Sequence, residues 1–202
     1  MTRLWKAALP GGSTVFAGNI SPAQNLPLLV ECARRLKAAD RRDVHFVIVG
    51  DGMSRDALEQ EIAAADVADW FTFEGQHPVT DIPAYHTMAD ALFAALNASE
   101  DVGLTVPQNH QLLSRRASLV SVSGEAARVM DEAAAGLTSP AGDVHGLYEN
   151  LLALPICRRA ARLPAMRAGL LRNPFPARAL LARMILCSGK KCNKPFLPRI
   201  TT

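Results

Sequence analysis

The run Val44–Gly50 (VHFVIVG) constrains this chain more than any other segment. It is apolar and β-branched on both faces, the pattern of a strand buried within a parallel sheet rather than half-exposed at a surface. A parallel strand needs a crossover to reach its neighbour, so helices are expected between the strands. The flanking sequence supplies them. Thr14–Gly18 (TVFAG) is a short apolar run closed by glycine, and Pro22 to Lys37 follows with Leu26, Leu29, Val30, Ala33 and Leu36 on one helical face. After the Asp51-Gly52 turn, Ser54 stands as an N-cap before Leu58, Ile62 and Ala65. Trp70–Phe73, Ala89–Leu96 and Ser118–Ser123 are further strands, and Leu137–Thr138 is a short sixth. A short helix is expected over Ile82 to Met88. Another runs from Glu125 to Ala135, stopped by Gly136 as its C′ glycine, and a last one opens at Gly142-Asp143 with Leu147, Leu151 and Leu154 at helical spacing.

Strands alternating with helices predict an α/β fold, a Rossmann-like parallel sheet with helices on both faces. In such sheets ligands bind outside the carboxyl ends of the strands. That puts the loops after Gly18, Gly50, Phe73, Leu96 and Val122 along one rim. The expected layout is one domain over 13–154, a degraded helical segment over 155–187 broken by Pro164, Pro174 and Pro176, and a Lys/Pro-rich disordered tail over 188–202.

Charge narrows the partners. Arg158 to Arg199 holds eleven Lys/Arg and no Asp or Glu, so the first 157 residues carry the other eleven cations against all 19 acidic residues. A net acidic domain with an irregular basic tail is no nucleic-acid platform. Cys32, Cys157, Cys187 and Cys192 form no CxxC pair and no metal spacing with histidine, and free thiols in a reducing compartment are the expectation. No secretory leader and no stretch of eighteen apolar residues is visible, so the protein reads as cytoplasmic.

Three rim turns are candidate sites. Phe16 to Asn25 offers glycine for close approach and a helix start with unpaired amides that suit a phosphate, although taken alone a plain turn and helix cap is the more ordinary reading. Val49-Gly50-Asp51-Gly52 is a tight turn at the rim, and simple turn chemistry accounts for it as well. Phe73 to Pro78 ends a strand with polar residues, among them His77, that could face a base. His45 reads as a sheet residue, His86 and His145 as solvated helix residues, and Trp5 and Trp70 as packing residues. Glu125 complements the dipole of the helix it opens, or contacts a ligand.

Taken together, Phe-Ala-Gly-Asn-Ile with Gln24 behind it, Val-Ile-Val-Gly-Asp-Gly, Phe-Glu-Gly-Gln-His-Pro, Ala89-Asp90-Ala91-Leu92, Leu104 to Pro107, Ser123 to Val129, and Ala134 through Asp143 follow one another in a specific order and spacing. Over about Thr14 to Leu154 the chain resembles the C-terminal domain of family-4 (group 1) glycosyltransferases of the GT-B fold, of the bacterial surface-polysaccharide type. The resemblance implies transfer of a hexosyl group from a nucleotide-diphosphate sugar, a UDP- or GDP-sugar, to a glycan or lipid-linked acceptor, with no cofactor and no metal. It implies that the Gly18-Asn19 turn cradles the diphosphate and that Gly75-Gln76 lies by the base. Gln24, Gly50 and Glu125 would be further donor contacts. Glu100 and Asp101 sit near the first acidic position of the family's E-x7-E pattern, which contacts the donor sugar and ribose.

The chain departs from that pattern in three places. Only Met1 to Gly12 precede the first strand, where the family carries an acceptor-binding Rossmann domain. That domain is expected to be a missing partner, and membrane association is expected only of the full enzyme. No acidic residue occurs from Val102 to Gly124, so the second acidic position has no counterpart. Gln108–Leu119 (QNHQLLSRRASL) lacks the family's Pro-x-Lys, Ser-Tyr-Leu-Ala and Gly-Arg/Lys-Pro elements. Codons exist for this stretch whose plus-one reading gives Lys/Arg-Ile-Ile-Ser-Tyr-Leu-Ala-Ala-Gly-Arg-Pro. Two compensating frame changes and ordinary divergence both account for it, and the coding DNA decides between them. The alternatives to an active donor domain are an inactive truncated remnant and a non-catalytic nucleotide-binding α/β module. A dinucleotide-binding domain is disfavoured because no GxGxxG follows a strand.

Overall fold

The structure, a computed structural model, describes residues 12–97, 116–132 and 136–154. Glu100, Asp101, Trp5, three of the four cysteines, most of 108–119 and both expected C-terminal segments lie outside the described residues.

Six strands form one sheet: β1 (Gly12–Ala17), β2 (Val44–Val49), β3 (Phe71–Gly75), β4 (Ala91–Ala95), β5 (Ala117–Ser121) and β6 (Gly136–Ser139). All pairings are parallel, and the spatial order is β3-β2-β1-β4-β5-β6. The order reverses at β1. The chain winds one way from β1 to β3, returns beside β1 as β4, and winds the other way to β6. Such a reversal leaves a crevice at the carboxyl ends of β1 and β4.

Helices cover both faces. α1 (Pro27–Ala38), α2 (Arg55–Ala64) and α5 (Val144–Ala153) bury Leu29, Leu36, Leu58, Ile62, Leu147 and Leu151 against Phe16, Phe46, Ile48, Phe93 and Leu119. α3 (Ile82–Met88) sets Tyr85 against Val15, Val47, Val49 and Leu92 on the opposite face, and α4 (Glu125–Glu132) sets Ala126 and Met130 against Val120 and Val122. β2 is buried along its whole length, as its β-branched run requires. Each large aliphatic side chain fully withdrawn from water contributes about 1.5–3 kcal/mol.

Several expectations are corrected. The helix expected from Pro22 is a 3-10 turn over Pro22–Gln24, then α1 from Pro27. Asn25 adopts φ 43° between them, and Pro27 has no N–H to continue a helical ladder. Trp70 belongs to a 3-10 turn ahead of β3, and its indole donates to the Arg41 carbonyl at 3.0 Å, so it packs as expected. Ser54 stands at the N-cap position of α2 without a side-chain cap bond; its amide donates instead to the Ile20 carbonyl at 3.1 Å. Gly136, expected as a C′ glycine, opens β6 paired with Ser118, and a Cβ there would lie 1.9 Å from the Ser118 carbonyl oxygen; the residues just before it lie outside the described residues. His86 is buried at 1% exposure rather than solvated, on the helix whose Tyr85 packs against the sheet. Asp143 does cap α5, its carboxylate accepting from the Gly146 amide at 3.0 Å.

Candidate functional site

The rim at the carboxyl ends of β1, β2 and β3 is laced by backbone hydrogen bonds. Gly18 N donates to Val49 O at 2.9 Å, Ile20 N to Asp51 O at 2.9 Å, and Gly50 N to Gly75 O at 2.8 Å. Glycine is required where these loops touch. Gly50 has φ +135°, and a Cβ on it would lie 1.9 Å from the Gly18 carbonyl oxygen. A Cβ on Gly52 would meet the Ile20 carbonyl oxygen at 2.3 Å and Asn19 Oδ1 at 2.4 Å. The two turns therefore form one interlocked unit.

This geometry revises how the first turn can meet an anion. The Gly18 amide is already taken by Val49 and the Ile20 amide by Asp51. Among the described residues, nothing accepts from the amides of Asn19 or Ser21. These flank the half-taken turn and are the groups a phosphate oxygen could still use. Asn19 is exposed, and Gln24 is half-buried as the last residue of the 3-10 turn. That turn is held from β4: the Asn97 amide donates to Ala23 O at 2.9 Å, and its side-chain amide donates to Pro22 O. Sequence reasoning missed Asn97. Its signal is slight, a first polar residue after the apolar run Ala91–Leu96.

Gly75 ends β3 with φ +74°, and Gln76 follows it exposed to solvent. The β2–β3 register shifts after Ile48, so that Val49 pairs with Gly75 and Glu74 is the extra residue. The Glu74 carboxylate lies 3.3 Å from the Tyr85 hydroxyl, which lies 2.9 Å from His77 Nε2. Burial foremost, and the nearby Glu74 carboxylate next, push the Tyr85 phenol up to about 12. Sequence reasoning placed His77 on the rim and missed its two partners, since Tyr85 reads only as a residue of a short helix. Arg55 stands over the Phe73 ring at 5.6 Å and donates to Glu59 at 2.8 Å.

Gly18, Asn19, Gln24, Gly50, Gly75 and Gln76 are thus gathered on one rim. Gly75 lies two strand positions from Gly18, about 10 Å at the ordinary strand spacing. Glu125 is the first residue of α4, beyond β5 on the other side of β1, and its side chain lies outside the described residues, as do Glu100 and Asp101. Cys32 is buried in α1 away from the rim, its thiol pushed up to about 12 by burial, which leaves it unreactive. Among the described residues no group of three or more His, Cys, Asp or Glu could hold a metal ion. No helix among them is long and apolar enough to cross a membrane.

Residues 11–108 match the family described as glycosyl transferases group 1. Over those residues, just under half of its length, this chain is similar to the group 1 glycosyltransferases. A 2-deoxystreptamine glucosyltransferase of Streptomyces kanamyceticus is 36% identical over 83 residues, 41% of this chain and 21% of that protein. Solved GT-B glycosyltransferases share the fold. Anabaena HepE in complex with UDP superposes with a TM-score of 0.63 at 16% identity, over 90% of this chain and 50% of its own. Staphylococcus aureus TarM, crystallised with UDP among other ligands, superposes with a TM-score of 0.63 at 14% identity, over 89% of this chain and 36% of its own. The chain therefore spans half or less of the length of each of these proteins. Its family match ends at residue 108, where QNHQLLSRRASL begins, whereas the sheet continues through β5 and β6.

Proposed function

We propose that this chain is the donor-binding half of a glycosyltransferase that moves a hexosyl group from a UDP- or GDP-sugar to a glycan or lipid-linked acceptor. The carrying observation is the interlocked Gly18–Gly50–Gly52 turn beside the β1/β4 reversal, with the amides of Asn19 and Ser21 unclaimed by described residues. The diphosphate would sit against those amides and the base near Gly75-Gln76, about two strand spacings away. In the transfer, the bond from the anomeric carbon to the β-phosphate oxygen breaks and its electron pair leaves with the nucleoside diphosphate. The acceptor oxygen bonds to that carbon and gives up its proton. Amides aimed at the leaving phosphate stabilise the charge that develops there. Glu100, Asp101 and Glu125 are proposed as the acidic residues toward the donor, and a second domain as the holder of the acceptor. The assembled enzyme would work in the cytoplasm at the inner membrane face.

Calorimetric titration of the full chain with UDP, GDP and their sugar conjugates tests this. Micromolar to sub-millimolar binding is the expected result, and no binding at millimolar nucleotide overturns the reading. The end of the family match at 108 favours a second reading, in which the chain binds nucleotide without catalysing transfer. Turnover assays on chain that binds nucleotide separate the two.

A further inference from the structure

At the end of β3 three side chains form a chain of hydrogen bonds whose polarity can be worked out from proton count. The Tyr85 hydroxyl lies 3.3 Å from Glu74 Oε2 and 2.9 Å from His77 Nε2. A phenol has one proton to donate. A carboxylate can only accept, so the contact with Glu74 is a bond only if Tyr85 donates to it. The phenol oxygen then accepts from the imidazole, which requires the proton on Nε2. The opposite polarity would leave the phenol and carboxylate oxygens facing each other with no proton between them. Tyr85 is 1% exposed, packed on Val15, Val47, Val49 and Leu92, and its phenol keeps its proton through the neutral range. The His77 ring is further packed on it, with centroids 5.0 Å apart and planes tilted by 55°. Among the described residues nothing bonds to His77 Nδ1.

We infer that this relay holds neutral His77 as the Nε2–H tautomer and presents Nδ1 at the rim as an acceptor that selects a nucleobase with a ring N–H. The inference rests on the donor-binding reading above and deepens it. Uracil and guanine carry a ring N–H beside a carbonyl, whereas cytosine and adenine carry a bare ring nitrogen at the corresponding place. An acceptor meeting that nitrogen makes no hydrogen bond and leaves both groups desolvated, the situation in which binding sites discriminate most sharply. The device is assembled by the fold. The bulge makes Glu74 the extra residue, α3 brings Tyr85 to it, and the loop returns His77 to the same phenol. His77 is a specificity-determining residue here, with Tyr85 and Glu74 as positioning residues.

Two measurements on the full chain test the inference. Titration with UDP, GDP, CDP and ADP should show UDP and GDP bound about tenfold or more tighter than CDP and ADP, the worth of one well-placed hydrogen bond. His77→Ala should bring the UDP and CDP affinities together by weakening UDP alone, and Tyr85→Phe should shrink the same ratio. Independently, long-range ¹⁵N correlation spectra of neutral His77 should show the proton on Nε2 in the wild type, a result that needs neither a ligand nor a folded variant. Equal UDP and CDP affinities, an unchanged ratio in His77→Ala, or a proton on Nδ1 overturns the relay while leaving nucleotide binding standing. Failure of all four nucleotides to bind overturns the donor-binding reading and this inference with it.

Discussion

Asp90 clamps the start of β1 through a single carboxylate oxygen. Its Oδ2 accepts from the Ser13 amide at 3.0 Å and from the Ser13 hydroxyl at 3.2 Å, while the Asp90 amide donates to the Ser13 carbonyl at 2.9 Å. The clamp joins β1 to the approach of β4 at the end of the sheet opposite the ligand rim. It gives a physical reason for the Ala89-Asp90-Ala91-Leu92 block. Asp90→Ala should lower stability by about 1–3 kcal/mol, because the buried Ser13 loses its acceptor. Urea denaturation checks this, and a midpoint equal to wild type counts against the clamp.

Gly50 and Gly124 make a matched pair of positive-φ glycines. An alanine Cβ at Gly50 lies 1.9 Å from the Gly18 carbonyl oxygen at φ +135°, whereas at Gly124, φ +68°, it meets nothing within 4 Å among the described residues. Gly124→Ala should cost about 1–2 kcal/mol, the ordinary left-handed penalty. Gly50→Ala should exceed about 3 kcal/mol, because only backbone stands in the way and it cannot yield without opening the rim. Thermal melts of the two variants give the comparison, and equal losses would refute the interlock.

His45 predicts the acid side of the stability profile. It is buried between strands with Nε2 2.8 Å from Thr72 Oγ1, and burial lowers its folded pKa below the unfolded value near 6.5. Below about pH 6.5 the unfolded chain takes up a proton that the folded chain resists. The stability that neutral His45 permits is therefore full above that pH and is lost progressively as the pH falls toward the folded pKa. Melting temperatures from pH 7.5 to 5.5 should fall more for wild type than for His45→Gln, and parallel profiles would exclude His45 as a source.

Asn97 should act on ligand rather than on the fold as a whole. Replacement by alanine removes the side-chain bond to Pro22 O and keeps the backbone bond to Ala23 O. Nucleotide affinity in calorimetry should drop about tenfold, with a small change in melting temperature. Unchanged affinity would mean that the 3-10 turn holds its shape without β4.

Much of the architecture was legible because it is written in local pattern. The VHFVIVG run marks a strand buried on both faces, and α3 was bounded correctly from Ile82 to Met88. Boundaries failed where the deciding partner is distant in sequence. Gly136 reads locally as a helix stop, yet it opens β6, and its pairing with Ser118 on the neighbouring strand is what leaves no room for a side chain. His86 reads as solvated from its place on a short polar helix, and tertiary packing buries it.

At the rim the same division holds. The order of the glycine turns and of the blocks around them was enough, by itself, to indicate the α/β class, the group 1 resemblance and the loops to examine, since those depend on residue type and spacing along the chain. Which amides remain for a ligand, how Asn97 holds the first turn, and how Glu74 and Tyr85 orient His77 were decided only when the strands paired. Hydrogen bonds are directional and short, and the groups that satisfy them here come from separate elements; local spacing carries no record of which donor a distant carbonyl has already taken.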